Sequence, residues 1–442
     1  MNQLLQLIKI PETRQRILMT LGLLFLYRVG FHVPMPGLSA EFLREQVQTQ
    51  STVFGLISAF SGGSIGNTVV FALGIMPYIS ASIIFSVLAK VSPQIEAIQK
   101  EGATGQKKIN QWTRLATVPI ALVQSTFIWF GVFVNMPGLL VGRPSLGLAL
   151  TVILALTAGS IFVMWLGELI TEHGLGNGSS LIIMAGIIAQ MPGSMQSILK
   201  QQDEPYNAVL TLLGIWFTIV LVVVFVQKGE RRVPIQYARL TRGRRVYGGQ
   251  RHYLPLKINM AGVMPIIFAS AIFIVPGVLF NVLGLESVGA VFNDADGFVH
   301  VTLYVILVFF FCFFWNNLMF RPEEIADNLR EHGSFIPGIR PGAKTAAYLK
   351  DILTRITLAG SVFLAFLAVL PNFITGNIPG LSGRLAYFLG GTSVLIVVGV
   401  AMDLVDRLNA QLVMRNYEGF VKGKGKGGAG GLTGGAGWAR KE

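Results

Sequence analysis

The sequence predicts an all-α integral membrane protein with about ten transmembrane helices. Three observations predict it. Only 13% of the 442 residues are charged, about half the share of a soluble domain. Hydrophobic residues make up 52%, with a mean hydropathy of +0.61, and they gather in runs near the roughly 20 residues that a helix needs to cross a bilayer. Finally, the basic residues crowd into every second connection between those runs, as the positive-inside rule requires of a multi-pass protein.

The runs fall near 17–37, 70–91, 114–136, 148–169, 178–195, 208–227, 258–283, 299–320, 352–371 and 387–407. The third begins after Arg114 and ends at the turn signal Asn135-Met-Pro-Gly. The fifth opens on Gly176-Asn177-Gly178, which leaves its start open. Pro77 and Pro265 lie within runs and are tolerable there, because neighbouring helices satisfy the freed carbonyls. An external loop near 191–207 divides ten spans into five plus five, a split compatible with an inverted repeat. The expected units are 1–200, 201–410 and a Gly- and Lys-rich tail, 411–442, whose composition predicts disorder.

Charge orients the chain. Of 35 Lys and Arg, the alternate loops hold only Arg44, Arg143, Lys200 and Arg384, and Arg28 lies in the first run. The remainder sit in the N-terminal segment, in 90–114, 228–257 and 321–355, and in the C-terminal tail. Both termini are therefore expected in the cytoplasm, which demands an even number of spans. The first run has no small-residue cleavage site after it, so it reads as a retained helix.

Familiar catalytic chemistry finds no footing in the sequence. The lone cysteine, Cys312, sits in an apolar run, so no disulfide framework or thiolate metal site is expected. Five scattered histidines show no ligand spacing. Residues 338–345, Gly-Ile-Arg-Pro-Gly-Ala-Lys-Thr, approach a phosphate-binding loop but place Ala343 where it needs Gly, and no strand is expected before them. Neither a Gly-x-Ser-x-Gly elbow nor a His-Glu-x-x-His helix is present. The reading is not an enzyme, with no cofactor.

Ionisable residues inside spans usually mark ion-coupled transporters. Here Arg28, Glu168 and Asp403 lie toward span ends, where snorkelling or a salt bridge accounts for them. An ion-coupled secondary transporter of small solutes is the alternative reading, and it lacks a midplane charge. The basic segments 228–257 and 321–355 suit either lipid headgroups or an anionic cytosolic surface such as ribosomal RNA. Residues 51–66 join a short apolar stretch, Val53-Phe-Gly-Leu-Ile-Ser-Ala-Phe60, to Ser61-Gly-Gly-Ser-Ile-Gly66. They read as an interfacial helix, or as a small element that folds back into a cavity.

A set of motifs then resembles the SecY/Sec61-alpha family of protein translocation channels. They include Phe71-Ala-Leu-Gly-Ile-Met-Pro-Tyr-Ile-Ser-Ala-Ser-Ile-Ile84, Pro36-Gly37, Ser61-Gly62-Gly63 and Met164-Trp-Leu-Gly-Glu168. Gly176-Asn177-Gly178, Gly243-Arg-Arg-Val-Tyr247, Leu256-Lys-Ile-Asn-Met-Ala-Gly262, Ala326-Asp-Asn-Leu329, Gly338-Ile-Arg-Pro-Gly342 and Gly390-Gly-Thr-Ser393 follow in the family's order. Together they cover about residues 16–418.

The resemblance implies two pseudo-symmetric halves, closed like a clamshell around an hourglass pore for unfolded polypeptide, with a lateral gate to lipid and a short external plug helix. Its pore ring matches Ile75, Ile79, Ile183, Ile267 and Ile396, and Ser179 stands where relatives often place a further ring isoleucine. Ile75 and Ile79 are four apart, hence on one helix face, and an apolar ring blocks ions by dewetting. The plug matches 51–66, with Val53, Phe54, Leu56, Ile57 and Phe60. Ser80, Gln124 and Asn259 match a polar cluster at the lateral gate, and Arg231, Arg232, Arg244, Arg245 and Arg340 match partner-binding positions. The implied partners are SecE, SecG, the motor ATPase SecA, the translating ribosome, secretory and membrane-protein clients with signal sequences, and lipid. The implied location is the cytoplasmic membrane.

Overall fold

The computed structural model describes residues 11–39, 70–134, 140, 145–201, 205–237, 240–242, 245–247, 251–260, 262–269, 272, 297–377 and 393–410. The expected plug, 51–66, and the tail, 411–442, lie outside the described residues.

Helix α1, Pro11–Gly30, covers most of the first expected span. Helix α2, Met76–Val91, begins later than the run that predicts it. Residues 70–75 form turns instead, with Gly74 at φ 54°. Pro77 is thus no interior proline but occupies the first turn of α2, where its missing N–H costs nothing. Pro265 likewise lies near the start of a helical stretch, 264–269. After α2 the chain bends by 97° at Ser92 into the short helix α3, Pro93–Lys100. Helix α4, Ala103–Ile128, runs on into a π-helical turn, Trp129–Phe133.

Helix α5, Leu146–His173, is capped by Ser145, whose Oγ accepts from the Leu148 N–H at 3.2 Å. Helix α6, Gly178–Gln201, starts where Asn177 Oδ1 accepts the Ser179 N–H at 3.1 Å. It runs through Pro192 and into the segment expected to be an external loop, since Met, Gln, Leu and Lys after Gly193 are good helix formers. Helix α7 follows at Pro205–Lys228.

The basic segment after α7 is not a loop. Strand β1, Glu230–Tyr237, pairs antiparallel with β4, Arg251–Lys257, and β2, Leu240–Arg242, pairs with β3, Arg245–Tyr247. Val233 and Ile235 are buried between exposed neighbours, the period-two pattern of a half-buried strand. Helix α8, Phe298–Met319, is followed by α9, Pro322–Glu331, and by β5, Ser334–Phe335, which adds to the edge of β1. Helix α10, Ala343–Asn377, rises from the cytoplasmic side through the ninth span without a break. Helix α11 covers 393–410.

Among the described residues, three helices are long and apolar enough to cross a membrane: Leu146–His173, Phe298–Glu331 and Ala343–Pro371. The bent pair α2 and α3 makes a fourth if counted as one span.

Each expected half holds a large apolar cluster, and Val400 and Leu404 of α11 pack against that of the first. In the first, Tyr27, Phe31, Phe71, Val163, Leu166, Ile170, Leu181 and Ile182 pack together beside a second cluster of Met35, Leu73, Trp129, Phe133, Val152 and Leu156. The backbones approach closely at Gly167 and Gly178, where a Cβ on Gly178 would lie 1.8 Å from the Gly167 carbonyl oxygen. In the second half, Val223, Ile266, Val308, Phe311, Leu364, Leu367 and Leu395 form the core, with Phe268 stacked on Phe311 at 5.5 Å. A fourth cluster joins the two basic segments. Val233 and Leu256 of the sheet pack on Ile336, Leu349, Ile352 and Leu353, so the two basic segments form one folded platform.

Candidate functional site

Three of the five isoleucines named from the sequence share a cluster. Ile75, which caps α2, is 2% exposed and lies against Gly167 and Ile182, while Ile79 and Ile183 are half-buried against the same cluster. Ile75 is therefore packed into the first half, and Ile79 and Ile183 keep more exposed surface. The amide of Ile79 bonds the Ile75 carbonyl at 3.1 Å, confirming that the two share a face. From the second half, Ile267 is half-buried one residue beyond fully buried Ile266, and Ile396 is 6% exposed in the first turn of α11. The structure does not join these two to the same cluster as the other three. Ser179 donates its amide to the Asn177 cap, so its position belongs to the helix start as much as to any ring.

The polar cluster divides in the same way. Gln124 Nε2 donates to Ser80 Oγ at 3.3 Å, tying α4 to α2 within one half. Gln124 Oε1 and Asn259 Nδ2 are buried with no hydrogen-bond partner. Asn259 lines a small cavity of about 10 Å³, close to the room of one water, with Met260, Cys312, Asn316, Thr357 and Ser361. There Asn316 Nδ2 donates to Thr357 Oγ1, joining α8 to α10. Gly360 lets α10 approach residue 258, because a Cβ on it would sit 2.7 Å from the Ile258 carbonyl oxygen.

The charges at span ends are paired as the sequence reading allowed. Glu168 on α5 bonds Arg114 on α4, with Glu172 3.9 Å from the same guanidinium. Asp403 meets Arg407 at 2.9 Å on α11, and the Arg28 guanidinium lies 5.2 Å over the Phe31 ring. No group of three or more His, Cys, Asp or Glu able to hold a metal occurs among the described residues.

On the platform, Arg231 and Arg232 are exposed on β1, with Arg232 held by Glu230 at 2.7 Å. Arg245 opens β3 opposite Arg242, and Arg244 lies outside the described residues. Arg340 is exposed in the turn before α10, and its carbonyl accepts from Thr345 Oγ1 at 2.9 Å. A strand does precede the 338–345 segment, contrary to expectation. It is the two-residue β5, antiparallel to β1, and not the parallel strand of a phosphate-binding fold.

Sequence reasoning missed the links between distant elements. Ser125 and Thr157 hydroxyls meet at 3.1 Å between α4 and α5, and Ser160 Oγ donates to the Gly74 carbonyl at 3.1 Å. Arg321, just before α9, bonds Glu96 on α3 at 2.7 Å, 225 positions away. The strands of the platform were legible in the alternation around Val233 and Ile235. The ion pair left no local signal.

The fold and site define a mostly helical membrane protein with several apolar spans and a basic folded platform. The chain matches the SecY family over residues 69–405. It is 41% identical over 431 residues to the protein translocase subunit SecY of Streptomyces scabiei, covering 94% of this chain and 98% of that one. It is 40% identical over 424 residues to the Escherichia coli K12 protein of the same name, covering 93% and 94%. Among solved structures, a protein-conducting channel superposes with a TM-score of 0.63 at 19% identity, over 91% of this chain and 93% of that one. A structure addressing how the SecY plug domain stabilises the closed channel gives 0.62 at 21% identity, with the same coverage of each chain.

The chain belongs to the SecY family. It is the protein-conducting channel subunit of a Sec translocase, a membrane transport protein and not an enzyme. Small-solute transport, the alternative reading, is set aside by that membership.

Proposed function

We propose that unfolded polypeptide threads the first and second halves through a constriction of Ile79, Ile183, Ile267 and Ile396, with Ile75 as its packed support. The observation that carries this reading is the clustering of Ile79 and Ile183 against buried Ile75 in the first half; half-buried Ile267 and buried Ile396 are the matching positions of the second. An aliphatic ring has no fixed donors or acceptors to hold a passing backbone, and it excludes ions by dewetting. The plug, with Val53, Phe54, Leu56, Ile57 and Phe60, closes the channel from outside. Ser80, Gln124 and Asn259 form the lateral gate, through which apolar helices leave for lipid. The orphaned Gln124 acceptor and Asn259 donor support this, being complementary groups on either side of the seam. Such a bond averages only about 0.6 kcal/mol between membrane helices, so it opens readily.

The platform docks the energy source. Arg231, Arg232, Arg244 and Arg245 face an anionic surface such as ribosomal RNA, and Arg340 engages the motor ATPase SecA. Two solved relatives, a canine Sec61 and a yeast Ssh1 complex, are described as bound to ribosomes, and they superpose with TM-scores of 0.58 and 0.54. SecE and SecG complete the complex in the cytoplasmic membrane, both termini lying in the cytoplasm. The test is crosslinking from a photoreactive probe at Ile79 or Ile267 to a stalled secretory chain. Adducts to a mid-chain segment are expected at both positions. Their absence in an engaged complex would remove these residues from the pore.

A further inference from the structure

Arg321 occupies a junction between the halves. It follows the end of α8 and caps α9, and its Nη1 bonds Glu324 Oε1 on its own helix and Glu96 Oε1 on α3, each at 2.7 Å. One Nη group carries two hydrogens, so both bonds form at once. Glu96 has a second partner of its own, Lys100, at 3.2 Å one turn along α3. The 97° bend after α2 is what turns Glu96 toward α9. The Arg321 and Lys100 hydrogen bonds hold the Glu96 carboxyl below its ordinary range.

We propose that Glu96 and Arg321 form a reversible ionic latch at the cytoplasmic mouth of the seam between the two halves. The inference rests on the lateral-gate reading above, and adds to it a contact outside the apolar seam. Its design lies in the spare partners. When the halves part, Arg321 keeps Glu324 and Glu96 keeps Lys100, so neither charge is abandoned. A pair whose members retain partners opens at a fraction of the cost of stranding a charge. Both side chains are about a quarter to a third exposed, at 31% and 24%, which puts the pair in the weak, salt-sensitive class. The latch thus biases the seam toward closure without locking it. A basic segment preceding an apolar signal helix, common to secretory signals, is the chemistry that competes with Arg321 for Glu96.

The test uses the full translocase complex in lipid vesicles, with distance labels on the exposed positions Gln99 and Asn328. Glu96→Gln and Arg321→Gln are each expected to raise the open population about two- to fivefold. The double variant is expected to match either single one, because one bond has been lost once. Added salt is expected to open the parent complex and to leave Arg321→Gln unmoved. Multiplying effects in the double variant, or no effect of either single change, overturns the latch. Adding a synthetic apolar signal peptide to the parent separates the two readings. If the labels do not part, the gate reading itself fails; if they part while the variants show no coupling, only the latch does.

Discussion

The two halves are held together by different means. The first half relies on small and polar close contacts: Gly167 against Gly178, Ser125 against Thr157, Ser160 on the Gly74 carbonyl and Arg114 on Glu168. The second shows fewer of them, Asn316 on Thr357 and Gly360 beside the Ile258 carbonyl, next to Phe268 packed on Phe311 and Trp315 among buried Val and Leu. Close backbone approach is how helices associate in lipid, where apolar burial alone gives no drive. Contact between halves is of a third kind. Helix α11 sets Val400 and Leu404 against the first-half cluster and Leu408 against Leu175, whereas Arg321 and Glu96 meet through charge alone. Among the described residues, the apolar contact of α11 and the ion pair of Arg321 are thus two different kinds of join, and the proposed gate would open at the second.

The largest test of this contrast is steric. Gly178→Ala forces a Cβ into the Gly167 carbonyl and is expected to cost about 3 kcal/mol, the upper end for overpacking. Gly360→Ala, with 2.7 Å to the Ile258 carbonyl oxygen, is expected to cost about 1 kcal/mol. Thermal unfolding of the purified complex ranks the two, and equal midpoints would show that the halves do not differ in their tolerance to crowding.

A smaller effect tests the join at α11. Ile396→Asn puts an amide at the proposed constriction and is expected to raise resting ion leak several-fold, read as conductance in a planar bilayer. Unchanged conductance would take Ile396 out of the seal.

The smallest effect concerns acid. Since the Glu96 carboxyl is depressed in the folded protein, first by Arg321 and then by Lys100, the stabilisation it gives is whole above its ordinary pKa of 4.5. It is lost as pH falls through the lower, folded value. Lys100 on α3 and Glu324 on α9 are the other charges at the pair. The closed population of the labelled complex is therefore expected to hold level from about pH 8 to 5 and to fall below that range. A fall that begins near neutrality would assign the closure to another group.

Much of this was legible in one dimension. Apolar runs announce spans because a bilayer imposes their length. The start of α2 was not legible as drawn, since hydropathy sees Phe71 to Ile75 as membrane while Pro77 and Gly74 decide where a helix begins. The continuation of α6 past Pro192 was hidden for the opposite reason: a proline and a glycine look like an ending, and the helix formers beyond them prevail. Of the site residues, Ser80 and Gln124 are brought into contact, 44 positions apart. The grouping of Ile75 with Ile182 and Gly167 depends on three elements meeting, which no spacing records.

Helix α10 extends over 35 residues, beginning on the basic platform against Val233 and Leu256 and passing Asn316 and Phe311 further along. At 1.5 Å per residue it is a rod of about 52 Å. A rod transmits angle as displacement: tilting its cytoplasmic end by about 5° carries the far end sideways by roughly 5 Å. Any partner that docked on the platform, as proposed, would therefore grip one end of a crank whose other end stands among the core side chains of the second half.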